Sequence, residues 1–240
     1  MLSFMKRCRM EILRDPLNIC FGVGFPVVLL ILLSTIQKNV PVSLFEINNL
    51  TPGVTVFGLS FMTLFSATLI AKDRETAFLE RLYTTPLTGL DFVLGYMLPI
   101  LPIAIGQAII TYLCAIPLGI SIDISIIYAI IGIIPISVLY ISLGLLCGSA
   151  FSVKQVGGLC GALLTNLSAW LSGVWFDLKL VGGFFEKIAN FLPFVHAVEM
   201  EKALLIGDFS LAFSHVLPIL LYGILITIAA VISFIKQTNK

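Results

Sequence analysis

From Phe92 to Val153 the chain runs for 62 residues with one charged side chain, Asp123. A helix needs about 20 apolar residues to cross the hydrocarbon core of a bilayer, so this run holds two spans. Asp123 lies beside Gly119 and Ser121, where a tight turn would put it, which gives spans at 92–118 and 125–150. The same criterion marks 18–36, 51–71, 155–176 and 213–235. Composition agrees: 59% of the 240 residues are hydrophobic and 11% charged, against roughly a quarter charged in soluble domains. One soluble core could not bury so much apolar surface. Helices satisfy their own backbone hydrogen bonds in lipid, and the alternation of a barrel is missing. The expectation is an all-α integral membrane protein, a single transmembrane domain of six helices. The first apolar run is long enough to span, so it reads as a retained helix and not as a cleaved signal.

Lys and Arg set the orientation. An even number of spans puts both termini on one side, with Lys6, Arg7, Arg9, Arg14, Lys72, Arg74, Arg81, Lys154, Lys236 and Lys240. Lys38, Lys179, Lys187 and Lys202 fall opposite, amid seven acidic residues. Both termini are therefore expected in the cytoplasm, with the chain in the plasma or inner membrane. Ahead of the first span, residues 1–17 place Phe4, Met5, Cys8 and Ile12 on one helical face and Arg7, Glu11 and Arg14 on another. Pro16 closes this stretch. It suits an amphipathic helix on the membrane surface, or a plain orientation signal. The external connection 177–208 is unusually apolar. Phe184, Phe185, Ile188, Phe191 and Leu192 recur at helical spacing, Pro193 breaks the run, and Ala197 to Ile206 is helical again. Each piece is too short to span, so a hairpin dipping into the outer leaflet or lying along it is expected.

Several chemistries are missing. There is no G-x-x-x-x-G-K-[ST] loop for nucleotide phosphates and no G-x-S-x-G nucleophile turn. Two histidines, His196 and His215, lack metal-site spacing, and five scattered cysteines include no C-x-x-C pair. His196 is expected to cap a helix or face water. A net charge of +1 without a basic run gives nucleic acid nothing to hold. No metal or cofactor is expected on this chain. The spans carry almost no ionisable groups, and ion-coupled carriers place such groups within the membrane. Work done by this chain would need an outside source of energy.

The most specific segment is the cytoplasmic connection 72–91. Its charges alternate, Phe78, Leu79, Leu82 and Tyr83 form an apolar arc that Glu75 interrupts, and Thr84, Thr85 and Pro86 end the helix. Alone, this is compatible with an ordinary solvated loop. The run Arg74-Glu75-x-x-x-Leu79-Glu80-Arg81-Leu82-x-x-Thr85-Pro86-Leu87 resembles the signature of type-2 ABC transporter permeases, written R-E-x-G-T-L-E-R-L-x-x-T-P-L, with Ala77 and Phe78 at its Gly and Thr. The segment from Leu192-Pro193 through Ala197, Glu199, Leu204, Leu205 and Gly207 resembles that family's external hairpin. The resemblance implies a coupling helix that docks on a separate ATP-binding cassette subunit. Two permeases, identical or not, would work with two ATPases, and ATP and Mg would be held on those partners. It implies a coupling role for Arg74, Glu75, Leu79, Glu80, Arg81, Leu82 and Pro86.

Small and polar residues mark helix faces. Gly144-x-x-x-Gly148 ends the fourth span and Gly157-x-x-x-Gly161 opens the fifth. Gly161, Thr165, Ser168 and Ser172 share a face with Asn166 nearby, and Gln107 and Thr111 stack in the third span. Such faces serve close helix packing or line a passage for an amphipathic substrate. Two functions remain: the permease of an ATP-driven exporter, or a membrane component that binds a membrane-active peptide without moving it. The topology is checked by single cysteines in a background lacking the native ones. Cysteines at Lys187 or Lys202 should react with an impermeant reagent from outside intact cells, and those at Arg81 or Lys236 only after permeabilisation. External labelling at Arg81 would reverse the orientation.

Overall fold

The computed structural model describes residues 2–40, 43–76, 78–85 and 87–238; the side chains of Leu17, Glu80, Tyr83, Gln237 and Thr238 lie outside it. Its regular elements are all helical: α1 (Leu2–Leu13), α2 (Cys20–Asn39), α3 (Ile47–Glu75), α4 (Phe78–Tyr83), α5 (Gly89–Ala115), α6 (Ser125–Ala150), α7 (153–171), α8 (Gly183–Phe191), α9 (Pro193–Ile206) and α10 (Phe209–Thr238). Local chemistry sets several of the ends. Thr88 and Asp91 form a reciprocal capping box at the start of α5, and Ser152 and Gln155 form one at α7. Pro193 opens α9, where its missing N–H is no loss, and Gly207 closes it in the left-handed region at φ 83°. The turn between α5 and α6 carries Gly119 at φ 114°, and Asp123 accepts a hydrogen bond there from the Ile124 amide at 2.7 Å.

Among the described residues, five helices are long and apolar enough to cross a membrane: Cys20–Asn39, Ile47–Glu75, Gly89–Leu118, Ser125–Ala150 and Phe209–Lys236. The stretch expected as a further span, 155–176, differs. Its helix covers 153–171 and gives way to turns at 172–176. At 1.5 Å per residue it falls slightly short of a ~30 Å hydrocarbon core, and Lys154, Gln155 and Asn166 dilute its apolar character. It is also wound as a π-helix over Gly157–Leu164, as α2 is over Cys20–Gly24. The second helix instead outruns its apolar stretch: α3 continues through Lys72 and Arg74, cations suited to a helix C-terminus.

The centre of the protein is α3, whose most apolar window is 83% buried, whereas that of α10 is 17% buried. The reason is the α3–α6 contact. A side chain on Gly144 would overlap the Thr63 carbonyl, and a Cβ on Gly148 would lie 2.8 Å from the Ala67 Cα. Thr63 donates to the Tyr140 carbonyl at 2.8 Å and Ser66 to that of Ile141 at 3.1 Å. Small residues bring the backbones together, and hydroxyls then bond across the contact. The hairpin helices occupy the far end. Phe194, early in α9, packs 6.0 Å from the Tyr140 ring, and Tyr222 of α10 donates to the Phe191 carbonyl at 2.9 Å. Tyr140 stands roughly 20 Å along α6 from its first residue, so the start of α9 packs beside the middle of α6 while Phe191, at the end of α8, stays exposed.

Gly148→Leu drives a branched side chain into the α3 backbone, and overpacking costs about 1–3 kcal/mol or more. It should lower the thermal unfolding temperature in detergent by several degrees. Gly106→Ala, at a glycine with nothing within 4 Å, should leave it unchanged.

Candidate functional site

The last turn of α3 carries Asp73, Arg74 and Glu75, and each is held by a different part of the chain. Asp73 is 1% exposed. Its two oxygens receive the Arg7 guanidinium of α1, Nη2 to Oδ1 at 2.6 Å and Nη1 to Oδ2, and the Tyr96 hydroxyl of α5 donates to Oδ2 at 2.8 Å. The fork-to-carboxylate geometry is the strong form of this interaction. Arg7 also meets Glu11 Oε2 at 2.6 Å, and its Cζ lies 3.9 Å over the Phe78 ring. Burial pulls the Arg7 pKa down, but Asp73, through its hydrogen bond and its charge, outweighs that, with Glu11 adding to it, so the guanidinium is held charged. Beside it, burial and then the Asp73 charge push the Cys8 thiol up to about 12, which keeps it protonated and unreactive.

Arg74 and Glu75 straddle the turn between α6 and α7. Arg74 Nη1 donates to the carbonyls of Gly148 at 3.0 Å and Phe151 at 3.2 Å. Glu75 Oε1 accepts the Val153 amide at 2.9 Å. The cation thus meets the carbonyl end of one helix and the anion meets the amide end of the next, each matching the local helix dipole. These two motif residues form an intramolecular clamp.

The short helix α4 follows. Leu79 is buried and Phe78 and Leu82 half-buried against the cluster that contains Phe4, Cys8 and Ile12 of α1. Phe4 also packs on the rings of Phe78, Phe92 and Tyr96. An open groove of about 460 Å³ runs between α1 and α4, lined by Ser3, Phe4, Arg7, Phe78, Leu82 and Thr85. Arg81 is exposed. Pro86 and the Glu80 side chain lie outside the described residues.

The polar residues singled out in the spans separate into two groups. Gln107 and Thr111 are fully buried against α3; Gln107 Nε2 donates to Thr111 Oγ1 at 3.2 Å and approaches the Thr55 carbonyl at 3.5 Å. Thr165, Ser168 and Ser172 are buried too, Ser168 Oγ lying 2.6 Å from the Tyr140 hydroxyl and Thr165 donating to the Cys160 carbonyl at 2.8 Å. Asn166 is exposed on another side of α7, and Gly161 meets only Leu64, at an ordinary 3.4 Å. Gly157 and Gly158 have nothing within 4 Å. His196 caps the carbonyl end of α8, its Nε2 donating to the Asn190 carbonyl at 3.0 Å, and its Nδ1 lies 2.9 Å from His215 Nδ1. Among the described residues no group of three or more His, Cys, Asp or Glu is placed to hold a metal ion.

Sequence reasoning left out Asp73, its partner Tyr96 and the pairing of Arg7. Asp73 reads as one more charge in a charged loop, and Tyr96 as one more ring in an apolar run. The available signal was an Asp two residues after a predicted span, where a lone carboxylate needs a partner.

Comparison with curated proteins and with solved structures returned no match. The family model described as ABC-2 type transporter matches residues 1–206, which takes in the three-charge turn, α4 and the hairpin through α9. This chain belongs to the ABC-2 type transporter family, as a membrane-embedded transport component.

Proposed function

We propose that this chain is the permease subunit of an ATP-driven exporter. It provides the path by which a hydrophobic or amphipathic substrate leaves the cytoplasm or inner leaflet. In this reading α7 completes six spans, both termini are cytoplasmic, and α8–α9 is a hairpin re-entering from outside. Two permeases meet along α2 and α7, the helices with π-helical turns, and a pair of ATP-binding cassette subunits supplies ATP, Mg and hydrolysis. The polar faces of α5 and α7 serve packing within one subunit where they are buried, and Asn166 with the open glycines of α7 faces the path or the second permease.

The observation that supports this most is the linkage of α4 to the spans. Phe78, Leu79 and Leu82 attach α4 to α1, and Arg7 joins α1 to Asp73 of α3. Arg74 and Glu75 then join α3 to the α6–α7 turn. A push on α4 by a docked ATPase therefore reaches α1, α3, α5, α6 and α7 through contacts already formed. Arg81 is exposed and makes no ion pair among the described residues, which suits a partner surface, and Glu80 precedes it.

If α4 met only water, each surface charge would contribute at most ~1 kcal/mol. At a closed interface, truncating one member of a charged pair costs ~2–5 kcal/mol. Glu80→Ala/Arg81→Ala should thus keep expression and insertion, while copurification of the nucleotide-binding subunit falls at least about tenfold and substrate-stimulated hydrolysis falls with it. Unchanged association and transport in the double variant would refute docking at α4.

A further inference from the structure

Helix α9 is seated in the protein by an apolar face that contains one carboxylate. Glu201 is 0% exposed. Its Oε1 accepts from the Tyr112 hydroxyl of α5 at 3.2 Å, and its Oε2 has no hydrogen-bond partner. Across from it α6 presents Gly132, where a Cβ would lie 3.0 Å from Oε2 and would overlap Leu204. The missing side chain at Gly132 makes the room that the carboxyl fills.

No cation compensates it among the described residues. The neighbouring Lys202 of α9 pairs with Glu199 at 2.8 Å, His215 of α10 is engaged with His196, and α6 offers Tyr140, already bonded to Ser168. Glu186 and Lys187 of α8 and Asp73 of α3 make no ion pair with it. An ionised carboxylate with one long hydrogen bond and no counter-charge is strongly disfavoured in such a setting, and the group takes up a proton instead. Burial pushes the Glu201 carboxyl well above its ordinary range, and the Tyr112 hydroxyl offsets this only in part.

We propose that Glu201 is a proton-binding site that governs the seating of the hairpin: the neutral acid holds α9 against α5 and α6, and loss of its proton releases α9. The proton passes to water at the nearby helix ends, since Glu201 lies less than two turns from Gly207, where α9 stops. The carboxylate then gains hydration that it cannot have while seated. Proton occupancy is thereby coupled to the position of the hairpin, whatever substrate the protein carries and whichever partner drives it.

The experiment uses the full chain in lipid nanodiscs. Infrared difference spectra between wild type and Glu201→Gln should show, at neutral pH, a protonated-carboxyl band that the variant lacks. Hydrogen exchange in residues 193–206, normalised to α6, should accelerate on alkalinisation in wild type and stay flat in Glu201→Gln, whose amide mimics the neutral acid. Tyr112→Phe removes a donor that favours the ionised form, so the alkaline transition should move up by about one pH unit; this variant also serves if Glu201→Gln fails to fold. A carboxylate band from Glu201 at neutral pH would overturn the proposal. So would alkaline profiles of α9 that are the same in wild type and variants.

Discussion

Asp73 is a charge that the rest of the structure has to accommodate. It ends the most buried helix at 1% exposure, and a carboxylate so placed is tolerable only with a cation and a further donor in contact. Arg7 and Tyr96 meet that requirement from opposite directions in the chain, which fixes α1 and α5 against α3. Removing Arg7 would leave this buried carboxylate without its cation. The next two residues repeat the logic with opposite signs, Arg74 on carbonyls and Glu75 on an amide. One helical turn thus ties together α1, α3, α5, α6 and α7.

Such an arrangement suits the transmission of force more than the binding of substrate. Apolar packing alone lets helices slide, whereas charge-assisted bonds with defined geometry hold register. The contact between α3 and α6, made through Gly144 and Gly148, is rigid for a different reason: backbones that touch cannot approach further. Where the chain is loosely held, on the open glycine face of α7 and along α10, it has surface left for lipid or for a second subunit.

Much of this was legible in the sequence, and the rest failed for identifiable reasons. Long uncharged runs announced α2, α3, α5, α6 and α10, because period and length decide helices in lipid. The G-x-x-x-G pair of α6 announced a close approach, which the structure places on α3. The extension of α3 to Glu75 was hidden, since hydropathy falls at Lys72 while the backbone helix continues. That Arg74 and Glu75 also cap helix ends 74 and 78 residues away was hidden, because nothing in a linear motif announces such a contact. Glu201 was counted among external acids for a similar reason: its burial depends on Gly132 and Tyr112, which lie on two other helices.

In the proposed function the Arg74–Glu75 clamp passes the motion of α4 to the α6–α7 turn. Its most direct test is the double variant Arg74→Gln/Glu75→Gln, assayed for association with the ATP-binding subunit and for substrate moved per ATP hydrolysed. Neither side chain lies on α4, so association should stay at the wild-type level. Hydrolysis should persist while transport per ATP falls by about tenfold or more, as expected if losing two helix-end contacts weakens the clamp by roughly 1–2 kcal/mol. Unchanged transport per ATP would contradict the clamp as a transmission element, and loss of association would place these residues at the interface itself.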